Sequence, residues 1–164
     1  MAVSFRPAVE RAQPPKAPYR VVNQVMRWLL SSPRRAQQIG QHLLLLHLTG
    51  RRSGRRFVLP VAYHDAGDGR ILVLTSSPWR ANLRGRAEVE VTLLGERRPA
   101  RAQLVEDPDQ VAAVYLRLIV AAGRRRAGRR LGIRINVDRV PTPGELAEAS
   151  RRDGLALIYL DVTR

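Results

Sequence analysis

The residues best suited to chemistry form a short basic segment between two apolar stretches. It holds two glycines, four arginines and two hydroxyl side chains, in the order Thr49-Gly50-Arg51-Arg52-Ser53-Gly54-Arg55-Arg56. Glycines let a backbone turn tightly and expose its N–H groups, and guanidinium groups bind phosphate or carboxylate in planar, bidentate geometry. The segment is therefore a candidate anion-binding turn. A solvated basic hairpin tip explains the same composition equally well.

A second candidate segment begins where an apolar run ends, and reads Thr75-Ser76-Ser77-Pro78-Trp79-Arg80-Ala81-Asn82-Leu83. Serine followed by proline predicts a helix start, and Gly85 predicts its end near Leu83 or Arg84. A helix N-terminus favours anions or an electron-rich oxygen. Trp79 can flank an aromatic ligand and Asn82 can hydrogen-bond to it. In the alternative interpretation Trp79 fills the core and Asn82 caps the helix.

Other residue types suggest no further chemistry. The chain has no cysteine, which excludes disulfides, a thiolate nucleophile and thiolate metal ligands. His42, His47 and His64 lack the spacing of a metal-binding helix, so we predict no metal site. No Ser-His-Asp triad can be recognised from the sequence.

The elements that position these segments are mostly strands. Apolar or alternating runs predict strands at Leu43–Leu48, Phe57–His64, Arg70–Thr75, Val89–Leu94, Ala100–Val105 and Leu155–Val162. Beyond the short helix at Pro78, helices are predicted at Tyr19–Ser32, after the Asp107 cap and after Thr142. The arginine-rich stretch Gly123–Arg134 has no clear pattern. Consecutive hairpins with few helices predict a mainly β fold (α+β), an antiparallel barrel with flanking helices.

Length and charge limit the organisation and the partners. We expect a flexible N-terminal arm over Met1–Pro18 and a single domain over residues 19–164. The net charge of +15 attracts anions of many kinds, but the chain lacks the interleaved aromatics of a single-strand binder, which argues against nucleic acid. No secretory signal or spanning apolar run is visible, so a cytoplasmic location is expected, with peripheral contact to an anionic membrane left open.

Both candidate segments resemble one family. The run Leu45–Arg56 resembles the apolar strand and "TTGRKSGKPR" turn of deazaflavin-dependent nitroreductase-like proteins. Leu59-Pro60-Val61 is similar to their "TPL" strand, Leu74-Thr75-Ser76 to "VAS", Pro78–Leu83 to the "PxWxxNL" helix, and Val89-Glu90-Val91 to "PxVxV". The order of these motifs carries the resemblance, which covers about Tyr19–Val105.

The resemblance implies a split β-barrel of the flavin-reductase and pyridoxamine-phosphate-oxidase type, a homodimer, and binding of Factor-420 (8-hydroxy-5-deazaflavin), with FMN as the alternative. By position, the phosphate and acidic tail would contact the basic turn, at Arg51, Arg52, Ser53, Gly54 and Arg55. The ring would be bordered by Thr75, Ser76, Trp79 and Asn82, with Ser76 as the candidate catalytic hydrogen-bond donor.

The implied function is an oxidoreductase that transfers a hydride from the reduced deazaflavin to a small organic acceptor. Family members that reduce nitro compounds or quinones tend to place tyrosines late in the chain, whereas Gly123–Arg134 has six arginines and no tyrosine. A nitro compound, a quinone and an enone therefore all remain open as acceptors. The alternative is a non-catalytic split-barrel protein that binds flavin, haem or lipid.

Overall fold

The computed structural model describes residues 5–12, 24, 28, 29, 31–35 and 42–163. Its strands are β1 (Val9–Arg11), β2 (Leu43–Thr49), β3 (Arg56–Ala62), β4 (His64–Asp65), β5 (Ile71–Thr75), β6 (Glu88–Leu93), β7 (Glu96–Val105), β8 (Ile133–Ile135) and β9 (Ala156–Val162). Its helices are a 3₁₀ helix (Pro78–Leu83), α1 (Pro108–Ala122), α2 (Arg124–Leu131) and α3 (Pro143–Asp153).

The described residues divide into two compact units. The helical unit comprises those of 1–13, 74–77 and 105–157, and the sheet unit comprises those of 14–73, 78–104 and 158–164. The sheet has the strand order β3-β2-β6-β7-β9-β5-β4, with antiparallel pairing of β2 to β3 and β6, of β6 to β7, and of β4 to β5. It curls into a half-barrel, which confirms the predicted mainly antiparallel fold of the split-barrel type.

The two faces of β2 carry different side chains: one is wholly apolar, and the other combines the buried Leu45 with the polar His47. Leu44, Leu46 and Leu48 are buried and pack with Val91 of β6 in the core of the sheet unit. Because successive strand residues point to opposite faces, His47 lies on the other face, across from Glu90 of β6. Burial of each large leucine contributes about 1.5–3 kcal/mol, so the leucine run determines which face carries the polar residues.

In the helical unit, α1 packs against α3, and both helices begin at the predicted caps. The Asp107 carboxylate accepts the Gln110 N–H at 3.2 Å. Thr142 and Glu145 form a reciprocal capping box at the start of α3. The buried residues of α1 recur on one face, as its apolar period predicts; they are Val111, Ala112, Tyr115 and Ile119.

The N-terminal segment differs from the flexible arm expected over Met1–Pro18. Val9 is buried, and β1 pairs antiparallel with β8, with Val9 opposite Ile135. The Arg11 N–H donates to the Asp153 carboxylate at 2.9 Å. A three-residue strand has too short a pattern to be seen in sequence. The boundary at residue 18 and the single domain over 19–164 stay predictions.

The single strand predicted over Phe57–His64 is instead two strands, β3 and β4, which lie at opposite edges of the sheet. Two other predictions concern helices and the arginine-rich stretch. The helix expected at Tyr19–Ser32 lies mostly outside the described residues, of which Gln24, Trp28 and Leu29 are helical. The stretch Gly123–Arg134, left unassigned above, forms α2 and the first two residues of β8.

The capping box gives an acid-dependent contribution to stability. The Arg139 guanidinium donates to the Glu145 carboxylate at 2.6 and 2.9 Å, and the Thr142 N–H donates to it at 2.9 Å. These bonds lower the pKa of Glu145 from 4.5 to about 2. Because the pKa is lowered in the folded state, the carboxylate stabilises the fold above pH 4.5, and this contribution is lost as the pH falls toward 2.

We therefore expect Glu145→Gln to lower the free energy of unfolding at neutral pH, and we expect the difference from wild type to shrink between pH 4.5 and 2. Urea denaturation across this range measures it. Glu148→Gln is the control in the same helix: it removes only an exposed i,i+4 ion pair with Arg152 at 3.7 Å, so it should lower the free energy of unfolding by no more than about 0.5 kcal/mol. A deficit in Glu145→Gln that persists undiminished at pH 2 would contradict the assignment.

Candidate functional site

The basic turn between β2 and β3 is held in shape by its own atoms. The Gly50 N–H donates to the Arg55 carbonyl at 2.7 Å, and the Gly54 N–H donates to the Gly50 carbonyl at 3.0 Å. A Cβ on Gly50 would lie 2.6 Å from the Ser53 hydroxyl oxygen, and Gly54 has a φ of +66°. A side chain at Gly54 would therefore be strained by the backbone conformation, and one at Gly50 would force the Ser53 hydroxyl and the Phe57 ring to shift.

The turn does not offer the bare amides that its glycines suggest. The Arg55 N–H donates to the Ser53 hydroxyl at 3.2 Å, and the amides of Gly50, Arg51 and Gly54 are likewise bonded. The prediction of an exposed N–H cradle is wrong for these four groups, because three of them bond within the turn and the Arg51 N–H donates to Asn82. The capacity of the turn to bind anions resides in its side chains.

Those side chains are four exposed arginines. In the part of the chain that the structure describes, no ion pair involves Arg51, Arg52, Arg55 or Arg56. Four cations concentrated in one turn without a carboxylate partner repel one another. Their chemistry fits the phosphate or carboxylate groups of an external ligand.

Asn82 connects this turn to the second candidate segment. Its side-chain oxygen accepts the Arg51 N–H at 2.9 Å, and its side-chain NH₂ donates to the Trp79 carbonyl at 3.0 Å. The two segments lie 31 residues apart in sequence and meet through this one side chain. The structure thus brings together Arg51, Trp79 and Asn82 from the predicted set.

The second segment is a helix, as predicted, but of a different kind. It is a six-residue 3₁₀ helix, so the argument from an α-helix dipole at its N-terminus does not apply. Trp79 is half-buried and packs against the core that contains Leu83. This contact favours the interpretation of Trp79 as a packing residue, and the two hydrogen bonds of Asn82 give that residue a structural role.

The remaining predicted residues, Thr75 and Ser76, belong to the helical unit. Thr75 is buried at the end of β5, and its hydroxyl accepts the Ser77 N–H at 3.0 Å. Ser76 is half-buried. Thr75 therefore stabilises the chain before the 3₁₀ helix, and the catalytic role of Ser76 stays a prediction.

A cleft of about 740 Å³ lies next to the turn, lined by polar residues such as His47 and Glu90 and by the apolar Leu48 and Leu83. Arg56 from the turn and Asn82 from the helix both line it, so the two segments reach one cavity. The imidazole Nε2 of His47 lies 2.8 Å from the Thr92 hydroxyl beside it.

Sequence reasoning missed two cations of this cleft, Arg86 and Arg101. Both are exposed, and neither makes an ion pair with another described residue, whereas the neighbouring Arg97 pairs with Glu90. Arg101 could have been predicted from the alternation of residues along β6 and β7, since it lies opposite Glu88 on the neighbouring strand. The cleft therefore holds two further cations besides those of the turn, together with the carboxylates of Glu88 and Glu90.

The described residues contain no group of three or more histidine, cysteine or acidic residues able to hold a metal ion. They also contain no helix that is long and apolar enough to cross a membrane.

Known proteins resemble the chain at the level of structure. Protein Atu2129 of Agrobacterium tumefaciens, described as of unknown function, is 19% identical with a TM-score of 0.47; the match covers 92% of this chain and 57% of that protein. A domain-swapped dimer is 13% identical over 87% of this chain and 98% of its own, with a TM-score of 0.45. An F420 reductase is 16% identical over 84% and 93%, with a TM-score of 0.41. No curated protein sequence matches.

The sequence identities to these structures are too low to assign a family, but a family model matches the chain. The model described as F420H(2)-dependent quinone reductase matches residues 19–138, well over half of the chain, and includes both the basic turn and the 3₁₀ helix. This confirms the resemblance to a deazaflavin-dependent family. The chain belongs to the F420H(2)-dependent quinone reductase family.

Proposed function

We propose that this protein is a deazaflavin-dependent oxidoreductase that passes a hydride from reduced Factor-420 to a quinone-type acceptor. The family match supports the reaction class. The observation that carries the proposal is the hydrogen bond from the Arg51 N–H to Asn82, because it fixes a cationic turn beside the helix of the family motif. Nitro compounds and enones are further candidate acceptors, which activity assays must separate from quinones.

The donor set fits the charged part of the cofactor. Factor-420 carries a phosphate and an acidic tail, and the exposed guanidinium groups of Arg51, Arg52 and Arg55 have no ion-pair partner among the described residues. We propose that these three side chains hold the anionic part, while Ser53 and Gly54 keep the turn in shape. When bound, the reduced deazaflavin supplies the hydride. Nothing in the family match supports FMN in its place.

The protein orients the ring through the second segment. The Asn82 NH₂ group has two hydrogens and uses one on the Trp79 carbonyl, so it can donate the other to a ring oxygen. Trp79 packs against the core and is half-buried, so part of its ring remains available to a ligand. The ring contacts expected of Thr75 and Ser76, with Ser76 as the candidate hydrogen-bond donor, stay predictions.

In this scheme the protein contributes position and electrostatics, and no side chain acts as a nucleophile. The rival function is binding without turnover of a flavin, haem or lipid. Mixing the protein with reduced Factor-420 and menadione, and following the return of oxidised-deazaflavin absorbance, separates the two. A homodimeric state and a cytoplasmic location stay predictions.

The first test is the affinity for the cofactor. We expect wild type to bind Factor-420 with micromolar-class affinity and Arg52→Ala to weaken it about tenfold, because an exposed charge-assisted hydrogen bond is lost. Fluorescence titration of the deazaflavin measures both. Arg129→Ala removes an equally exposed arginine from the helical unit and should leave the affinity unchanged. Negligible binding by wild type, or one affinity for all three proteins, would exclude the proposal.

The second test concerns the connection through Asn82. Asn82→Ala removes the acceptor of the Arg51 N–H, so we expect the free energy of unfolding to fall by about 1 kcal/mol and amide exchange at Arg51 to accelerate. Hydrogen exchange followed by NMR reports this amide directly. Gln103→Ala removes a surface acceptor elsewhere in the sheet unit and is the control. Unchanged exchange at Arg51 in Asn82→Ala would show that the turn is held by other contacts.

A further inference from the structure

A second cavity lies at the opposite end of the strands from the basic turn. β2 and β3 pair from Thr49 opposite Arg56, next to the turn, to Leu43 opposite Ala62. His42 and Tyr63 follow at that far end and line a cavity of about 760 Å³. Seven residues of extended chain separate the two ends by about 20 Å, at about 3.3 Å per residue. This cavity is therefore distinct from the candidate cofactor site.

One wall of the cavity is built from rings and aliphatic side chains. The His42 and Tyr63 rings are in tilted contact, with centroids 6.3 Å apart, and the Tyr63 N–H donates to the His42 carbonyl at 2.8 Å. Ile71 and Leu94 add apolar surface. Burial raises the pKa of Tyr63, so its hydroxyl stays protonated at neutral pH and can donate a hydrogen bond. The wall suits a flat aromatic ring that carries a polar atom.

The charged residues of the cavity balance one another. The Arg70 guanidinium donates to the Asp68 carboxylate at 2.7 and 2.9 Å, and lies 4.3 Å above the Tyr159 ring. Asp65, also in the lining, accepts the Gly67 N–H at 2.7 Å. The arginine is thus already neutralised by protein groups. The cavity therefore has no excess positive charge for an anion, in contrast to the basic turn.

The backbone at Leu94 is the feature that local structure does not explain. Leu94 and Gly95 form the two-residue turn between β6 and β7, with φ of 50° and 81°. Turns of this type favour asparagine, aspartate or glycine, because other side chains are strained at positive φ. Leu94 is nevertheless a leucine, and 42% of its surface is exposed at the cavity. The neighbouring Gly95 lies close against the Pro33 backbone, which fixes the turn, and the strain at an exposed Leu94 is the basis for a functional hypothesis.

We propose that this cavity binds a neutral aromatic small molecule that carries a hydroxyl or carbonyl oxygen. Leu94 and Ile71 contact the ring, and Tyr63 or His42 hydrogen-bonds to the oxygen. The site is separate from the proposed deazaflavin site and needs no cofactor, so its test is independent of the proposed function.

The test uses 2-naphthol as a neutral probe and 2-naphthoate as an anionic probe with the same ring system. Titration of ¹⁵N-labelled wild type should shift the amides of Tyr63, Ile71 and Gly95 with 2-naphthol, and much less with 2-naphthoate. Leu94→Asn should weaken 2-naphthol at least about tenfold, because an aliphatic contact with the ring is lost. The same variant should raise Tm by about 2–4 °C, because asparagine relieves the strain of the turn.

Val120→Asn is the matched control, since Val120 is exposed by 64% in the helical unit and should not affect 2-naphthol. The opposite changes in affinity and stability are the decisive result, since a leucine that only packs against the protein would make Leu94→Asn less stable. The proposal is overturned if wild type does not bind 2-naphthol or if the shifts are confined to other regions. It is also overturned if Leu94→Asn binds 2-naphthol as tightly as wild type or has a lower Tm.

Discussion

The hydrogen bond between the Arg51 amide and the Asn82 side chain is the constraint on which the candidate site depends. Without it the basic turn is a loop of mutually repelling cations beyond the end of two strands. With it, one side of the turn is fixed to the 3₁₀ helix, whose Trp79 is in turn anchored on the core. A single bond of this kind contributes only about 1 kcal/mol to stability. Its importance is positional, because it determines where four guanidinium groups lie.

The alternation of β2, β6 and β7 extends this arrangement into a surface. One side of the sheet carries the leucine core, and the other carries His47, Arg101 and their neighbours around the cleft. The pleat makes such a division unavoidable, since each strand residue faces opposite to the next. Burial of the leucine face of β2 therefore fixes the face on which His47 lies.

Positive charge in this protein is organised and not spread evenly. Some arginines are neutralised by nearby carboxylates, as Arg70 is by Asp68, Arg124 by Asp138 and Arg139 by Glu145. The arginines of the turn have no such partner among the described residues, so unneutralised positive charge is concentrated next to Asn82. The net charge of +15 gives only the total. It does not show that the turn carries unpaired arginines while the charges of the cavity at the far strand end are balanced.

The sequence alone determined the features that depend on a few neighbouring residues. These are the leucine strand β2, the caps at Asp107 and Thr142, the hairpin of β6 and β7 and the glycines of the turn, because periodicity, capping and turn chemistry act over short spans. The family motifs added the expected site residues. Tertiary structure decided the rest: that Asn82 accepts the Arg51 amide, that the amides of the turn are already bonded, and that Val9 pairs with Ile135. Such contacts join residues far apart in the chain, and they form only when the packing of many intervening residues brings the partners together.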